Sequence, residues 1–237
     1  SHIFGDTIDW AVENIGRETV DKVLGPDVVI AHGNGLKQSE VEVIATNKAS
    51  VASAPSTGEN LWYDYAPLVE LIEAGANCTI TTDGSAPRFS FDLFKDISRA
   101  MWHQWIRHET QAVLPGGKAL RMVTIDAAKA LQVDHETGSL EAGKKADIIL
   151  VDLDKPHLTP TTYVPHQLCF YVNGHDVDTT IIDGRIVMEN TQVLSVNAQE
   201  VMELARVEAQ KAIDLIDLDE FRPSDKVFWH GSRYEEV

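Results

Sequence analysis

The fold class is decided by the segment Cys78-Thr79-Ile80-Thr81-Thr82-Asp83-Gly84. Its apolar and β-branched residues predict a strand over 78–82 that ends at Asp83-Gly84, and the next long amphipathic stretch predicts a helix over 91–107. A strand, a loop and a helix in this order are typical of a parallel sheet, because the crossover helix returns the chain to the edge where the next strand begins.

The same pattern occurs twice earlier in the chain. The predicted elements are strands over 28–31 and 49–53, helices over 39–45 and 67–74, and a loop over 55–59. This alternation indicates an α/β fold, and both doubly wound sheets and (β/α)8 barrels satisfy it. In either architecture, polar residues just past the carboxyl ends of the strands lie where active sites form.

Two polar residues occupy such positions, Asp83 and His32. The carboxylate of Asp83 can ligate a metal ion and accept a proton from metal-bound water, whereas the structural alternative is a turn or helix-capping aspartate. The imidazole of His32 can ligate a metal, polarise a substrate or transfer a proton, and the alternative is a buried structural histidine. Gly33 and Gly35 favour a functional role, because they let a ligand approach the backbone closely.

His2 has a similar position at the start of the chain. An apolar pair follows it as a strand end, and Gly5-Asp6 precedes a predicted helix over 7–12 with Asp6 as its N-cap. A Ser-His start also resembles the remnant of an expression tag, but the repeated pattern favours a native histidine.

The second half of the chain changes character. Its predicted elements are a helix around 124–131, a strand over 148–151, a hairpin with strands over 179–182 and 185–188, a final helix over 198–215 and an acidic tail over 217–237. The hairpin is indicated by its turn residues, Asp183-Gly184.

Composition excludes several classes of function. The formal net charge of −17 repels phosphate backbones, and the 20 Lys and Arg residues are scattered, so we expect no nucleic-acid partner. No apolar stretch approaches a membrane-spanning length and no leader opens the sequence, so we expect no membrane association and a cytoplasmic location. Cys78 and Cys169 are expected to be buried free thiols.

Several motifs resemble one known family. The segments 71–77 and 81–86 resemble the region of the last barrel strand in the amidohydrolase superfamily, and 127–131, 138–148 and 177–185 resemble its passage into a β-sandwich and the closing hairpin. The resemblance is strongest to the cytosine deaminase-like and chlorohydrolase-like branch, which includes S-adenosylhomocysteine deaminases, guanine deaminases and triazine hydrolases.

The resemblance implies a domain organisation. Residues 1–137 would form the C-terminal half of a (β/α)8 TIM barrel, strands 5 to 8, followed by β-sandwich strands over 138–195 and a C-terminal helix and acidic tail over 196–237. Strands one to four are absent from the chain. We therefore expect the N-terminal half of the barrel or a neighbouring chain to cover the exposed strand edges, expect the chain alone to be inactive, and consider a homo-oligomer for the intact protein.

The resemblance also implies a site. One divalent metal ion, zinc in preference to iron, would be held by a His-x-His pair on the first strand, a fifth-strand histidine that matches His2 and an eighth-strand aspartate that matches Asp83. His32 matches the sixth-strand histidine that contacts the substrate. Trp62 and Arg88 lie in loops after strand ends and would line the substrate pocket.

The implied reaction is hydrolysis of a C–N bond other than a peptide bond in a small molecule, by deamination or by displacement of an amine or halide on a heterocycle. Asp83 would take the proton of the metal-activated water, and His32 would stabilise the atom that becomes electron-rich. Two alternatives remain open: a cyclic-amide hydrolase of the dihydropyrimidinase type, and a non-catalytic binding protein that has lost the metal.

Three departures from the family pattern stand out. The chain contains no His-x-His pair, Gly5 stands where this branch often has a proton-transferring glutamate, and Ser53-Ala54-Pro55 replaces an Asn-Pro motif that a histidine usually precedes. The neighbouring Asp6 is a doubtful substitute for that glutamate. From the replaced Asn-Pro motif we expect that the leaving-group contact of the known deaminases of this branch is missing.

Overall fold

The computed structural model describes residues 2–3, 5–61, 64–84 and 90–215, and the side chains of residues 2, 3, 60 and 61 lie outside this description. The chain divides into two compact units, Ser1–Gln192 and Val193–Val237. Within the described ranges the first unit is an α/β structure with one parallel and one antiparallel sheet.

The parallel sheet has the order β1-β2-β3-β4, so each strand pairs with the next one in the chain. Its strands are β1 (His2–Ile3), β2 (Val29–His32), β3 (Ser50–Ser53) and β4 (Asn77–Ile80). The register aligns His2 with Ala31, Ala31 with Ala52 and Ser53 with Ile80. The carboxyl ends of all four strands therefore meet at one edge of the sheet.

Helices connect the parallel strands and continue after them. They are α1 (Thr7–Ile15), α2 (Arg17–Val23), α3 (Gln38–Thr46), α4 (Pro55–Leu61), α5 (Leu68–Glu73), α6 (Leu93–His108), α7 (Gly116–Met122) and α8 (Ile125–Ala130). The predicted alternation of strands and helices is confirmed. Gly75, with φ +91°, follows the end of α5 as expected of a helix-terminating glycine.

The core lies between this sheet and its helices. Ile30 and Val51 of the sheet and Ile44 and Leu71 of the helices are fully buried in one apolar cluster. Each such side chain contributes roughly 1.5–3 kcal/mol relative to an exposed one, so the packing of helices on the sheet fixes the strand register. That register in turn sets where the strand-end residues lie.

The segment predicted as a loop over 55–59 is a helix instead, α4. Its Pro-Ser-Thr-Gly sequence is typical of a loop, but Ser56 and Thr57 are fully buried. The backbone N–H of Ser56 donates to Asp96 of α6 at 3.2 Å, and the Ser56 hydroxyl also bonds to that carboxylate. A partner 40 residues away thus stabilises a helix that the local sequence does not predict.

The second sheet has the order β5-β6-β7-β8, and β6 pairs antiparallel with both β5 and β7. Its strands are β5 (Ile148–Val151), β6 (Val177–Ile182), β7 (Arg185–Glu189) and β8 (Gln192–Val193). Asp183 and Gly184 between β6 and β7 both have positive φ, 50° and 74°. These angles are those of the two-residue turn that the Asp-Gly signal predicts.

A short helix, α9 (Val164–Phe170), lies between β5 and β6 in the chain. In the second unit, α10 (Ala198–Ile213) is capped by Asn197, whose side chain accepts a hydrogen bond from the Glu200 N–H at 3.3 Å. The acidic tail over 217–237 lies outside the described residues. No helix in the described part of the chain is both long and apolar enough to cross a membrane.

Candidate active site

His32 and Asp83 meet at the carboxyl edge of the parallel sheet. His32 is the last residue of β2, and Asp83 follows the end of β4 by three residues. The Nε2 atom of His32 lies 3.7 Å from Oδ2 of Asp83, which is too long for a direct hydrogen bond. The His32 side chain is 3% exposed and that of Asp83 is 29% exposed, so the carboxylate opens toward solvent while the imidazole is enclosed.

Both residues have a backbone conformation that non-glycine residues rarely adopt. His32 has φ 72° and Asp83 has φ 62°, in the left-handed region that costs roughly 1–2 kcal/mol for an L-residue. The Gly84 N–H donates to Oδ1 of Asp83 at 2.6 Å and stabilises this turn. Residues held in such conformations cluster at functional sites, so the strain supports a functional role for the pair.

His2 lies in β1, which pairs with β2, the strand that ends at His32. Its Cα is in register with Ala31, and the next residue, Ile3, is in register with His32. The direction of the His2 side chain is outside the described structure. The metal-ligand role predicted for His2 therefore stays a prediction.

Trp62 and Arg88, predicted to line a substrate pocket, both lie outside the described residues. Their roles likewise stay predictions.

The donor set at this edge fits part of a metal site. Asp83 presents a half-open carboxylate, with Oδ1 accepting the Gly84 N–H and Oδ2 facing the imidazole of His32. Carboxylate oxygen and imidazole nitrogen are both common zinc ligands. Within the described ranges no group of three His, Cys, Asp or Glu side chains could hold a metal by itself. Asp83 could thus supply one ligand, with His2 the other candidate on this chain.

Gly5 and Asp6, which follow β1, make contacts with the loop after β2. The Gly5 N–H donates to the Asn34 carbonyl at 2.8 Å, and a Cβ added to Gly5 would overlap the Gly35 carbonyl oxygen. No side chain, glutamate included, can occupy position 5 in this conformation. The Asp6 carboxylate is 72% exposed and forms an ion pair with Lys37.

Glu40, in the first turn of α3, is a buried acidic residue that the sequence analysis missed. Its Oε1 accepts hydrogen bonds from the Ile8 and Asp9 N–H groups at 2.8 and 3.3 Å, and its Oε2 accepts from Asp6 and Lys37 at 3.0 and 3.1 Å. Asp6 is the N-cap residue of α1 as predicted, but its side chain makes no cap bond, and Glu40 accepts the first N–H groups of the helix instead. The sequence signal for this role is that Glu40 lies three residues after the N-cap of α3, where a glutamate is typical of a capping box.

A second polar cluster joins α4 to α6. Glu59 Oε1 lies 2.7 Å from Nε2 of His103, Arg99 donates to Glu59 Oε2 at 3.0 Å, and the His103 ring stacks on Tyr65 with 3.6 Å between centroids. Burial lowers the pKa of His103 below its ordinary value, while the bond to Glu59 opposes this shift.

A parallel α/β sheet with a strained histidine and aspartate at its carboxyl edge defines a class of proteins with ligand or catalytic sites at that edge. The chain belongs to the amidohydrolase family, whose model matches residues 2–187. The resemblance inferred from the sequence motifs is thereby confirmed.

Curated relatives of the chain are nucleoside deaminases. A 5'-deoxyadenosine deaminase of Methanosarcina acetivorans is 39% identical over 189 residues, which cover 80% of this chain and 43% of the relative. A 5-methylthioadenosine/S-adenosylhomocysteine deaminase of Caldanaerobacter subterraneus is 34% identical over 87% of this chain and 49% of the relative. The chain spans a little under half the length of these relatives.

Solved structures share the fold. An adenosine deaminase from Xanthomonas campestris with bound zinc superposes with a TM-score of 0.82 at 23% identity, over 91% of this chain and 51% of that one. An atrazine chlorohydrolase from Arthrobacter aurescens complexed with zinc gives 0.76 at 20% identity, over 87% and 48%. At these identities the likeness concerns the fold alone.

Proposed function

We propose that this protein is a metal-dependent hydrolase of C–N bonds that deaminates the adenine ring of a nucleoside altered at its 5′ position. The observation that carries the proposal is the contact between His32 and Asp83, 3.7 Å apart at the carboxyl edge of a parallel sheet in a chain of the amidohydrolase family. The activities of the relatives at 39% and 34% identity supply the substrate class.

In this proposal residues 1–137 are the C-terminal half of a (β/α)8 barrel and β1 to β4 are its strands 5 to 8. Residues 138–195 then contribute strands of a β-sandwich, followed by the helix and tail over 196–237. Four consecutive parallel strands and a match to about half of each relative support this division. The remaining barrel strands are the expected partner of the exposed strand edges.

His2 and Asp83 are the proposed metal ligands of this chain, with zinc as the metal. The bound cation supplies a water of lowered pKa that is a nucleophile near neutral pH. Zinc is present in the two solved structures of this fold named above, which supports its choice over iron.

Asp83 and His32 have different roles in the proposed reaction. The partly exposed carboxylate of Asp83 accepts the proton that the nucleophilic water loses when its oxygen adds to C6 of the adenine ring. The enclosed imidazole of His32 hydrogen-bonds the ring or the departing group as negative charge develops there. The C6–N bond then breaks, and the amino group leaves as ammonia with the proton that Asp83 held. Trp62 and Arg88 are proposed to line the substrate pocket.

The test combines metal analysis with product release on the intact protein. We expect one equivalent of zinc, and ammonia release from 5′-deoxyadenosine, 5′-methylthioadenosine or S-adenosylhomocysteine. Ammonia from guanine alone, or chloride from a chlorotriazine alone, would overturn the adenosine assignment. Absence of stoichiometric zinc or iron together with no product from any of these compounds would overturn the hydrolase proposal.

A further inference from the structure

The carboxylate of Glu40 joins two segments of the carboxyl edge. Glu40 is fully buried, and each of its oxygens accepts two backbone N–H groups. Three of the donors belong to the start of α1, at Asp6, Ile8 and Asp9, and the fourth belongs to Lys37 at the start of α3. One side chain therefore caps two helices, one of them from a distance of about 30 residues along the chain.

The two capped segments are the loops that follow β1 and β2. The loop after β1 includes Gly5 and Asp6 and leads into α1, and the loop after β2 connects His32 to α3. These loops also touch through the bond from the Gly5 N–H to the Asn34 carbonyl. The loops that follow β1 and β2 are thus joined at the site edge by one shared carboxylate.

The negative charge of Glu40 suits this role. The N–H groups at the start of α1 and α3 have no partner within their own helices, and they point at the Glu40 carboxylate together with the positive ends of the two helix dipoles. This arrangement favours an anion over a neutral acceptor. An amide at this position has one oxygen and one NH₂ group, so it can accept from one pair of N–H groups but must face the other pair with a donor.

We propose that Glu40 is a positioning residue of the active site, which locks the loops after β1 and β2 so that the strand ends bearing His2 and His32 keep a fixed relative position. This inference rests on the proposed function for the identity of the site. Glu40 acts through backbone N–H groups and contacts neither the substrate nor the metal.

Two variants and a matched control test the proposal on the intact protein. Glu40→Gln keeps the shape and removes the charge, and Glu40→Asp keeps the charge on a shorter side chain. The control is Asp126→Asn, which removes a buried carboxylate bonded to Lys118 and Arg121 near the amino end of β4. Measurements are amide hydrogen exchange at Asp6, Ile8 and Lys37, the Kd for zinc, and kcat and KM.

For Glu40→Gln we expect exchange at these amides to accelerate by about tenfold or more. Zinc affinity and kcat should fall by about 10- to 100-fold, as when groups that orient metal ligands are removed, with KM changed by less than about threefold. Glu40→Asp should change amide exchange, zinc affinity and kcat in the same direction but by smaller factors. Asp126→Asn should lower Tm and leave the zinc Kd and the exchange at the three amides unchanged.

The proposal is overturned if Glu40→Gln leaves exchange and zinc affinity as in the wild type, or if Asp126→Asn weakens zinc equally. Should Glu40→Gln fail to fold, Glu40→Asp decides by the same criteria. If the wild-type protein neither binds zinc nor releases ammonia, the proposed function fails, while the exchange measurement still decides whether Glu40 locks the two loops.

Discussion

The imidazole of His32 and the carboxylate of Asp83 approach to 3.7 Å although their strands are not neighbours in the sheet. β3 lies between β2 and β4, and two such strand spacings amount to roughly 10 Å. The side chains reach each other because both residues turn the chain in the left-handed conformation at the strand ends. The contact therefore requires that β2, β3 and β4 all pair in the observed register.

Replacing Asp83 with asparagine should remove activity and preserve the fold. Asparagine tolerates a left-handed backbone and can still accept the Gly84 N–H, but it cannot take up a proton. We expect kcat to fall by about 10²- to 10⁴-fold. Ammonia release measures the activity and thermal unfolding measures the fold.

A matched control for this variant is Asp183→Asn. Asp183 also has a left-handed backbone conformation, and it lies in the hairpin turn between β6 and β7. It should leave kcat unchanged. Equal kcat values for the Asp83 variant and the wild type would rule out Asp83 as the proton acceptor.

Asp176 is expected to make the stability of the fold depend on pH. Burial alone would raise the pKa of its carboxyl, but hydrogen bonds from the Asn173 N–H, Lys155 and His157 outweigh burial and lower the pKa to about 2. The carboxylate thus stabilises the native state above its unfolded pKa, near 3.9, and this stabilisation is lost as the pH falls toward 2.

The measurement is urea unfolding of the wild type and of Asp176→Asn between pH 7 and pH 2.5. The wild type should lose about 1–2 kcal/mol of unfolding free energy relative to the variant over this range, mostly below pH 4. A constant difference between the two proteins at all pH values would contradict the pKa assignment.

The two cysteines should be unreactive in the native protein. Burial raises the pKa of Cys78 to about 12 and that of Cys169 to about 11, and both thiols are free. At pH 8 the thiolate fraction is far below that of an exposed cysteine, and access is blocked. Alkylation read by mass spectrometry at these two positions should be negligible before urea is added and complete afterwards. Rapid native labelling at either position would show that the packing around that thiol opens.

Gly5→Ala should destabilise the loops at the site edge. The added Cβ would overlap the Gly35 carbonyl, with the carbonyl carbon only 2.8 Å away, so the backbone must shift at a cost of about 1–3 kcal/mol. Gly117→Ala is the control, because it lies in α7 and its new methyl group would meet no atom within 4 Å beyond its own helix backbone and chain neighbours. That change should stabilise the protein by about 0.5–1 kcal/mol in chemical denaturation. Similar effects of the two variants would contradict the close packing of Gly5 against Gly35.

Local sequence signals predicted the elements that local chemistry determines. The Asp183-Gly184 turn requires two positive φ angles and is found as such, and the apolar strand over 148–151 has the predicted bounds. The strand-end positions of His32 and Asp83 also followed from the alternation of strands and helices.

Structural features that depend on residues distant in the sequence could not be predicted from local patterns. The 55–59 segment is helical because Asp96 binds the start of α4, and α1 is capped by Glu40 rather than by its own Asp6. In each case a buried carboxylate from another helix satisfies backbone N–H groups. Only the folded topology brings those groups together, so the sequence around the capped helix does not reveal its distant partner.

The consecutive order of the parallel strands has a consequence for how the protein reaches its native state. Each of the three pairings closes a chain segment of roughly 20–30 residues, so no pairing carries a much larger loop-closure entropy than another. We expect the sheet to assemble stepwise from adjacent units. The contact between His32 and Asp83 requires both the β2–β3 and the β3–β4 pairing, so we expect it to form no earlier than the second of these two steps.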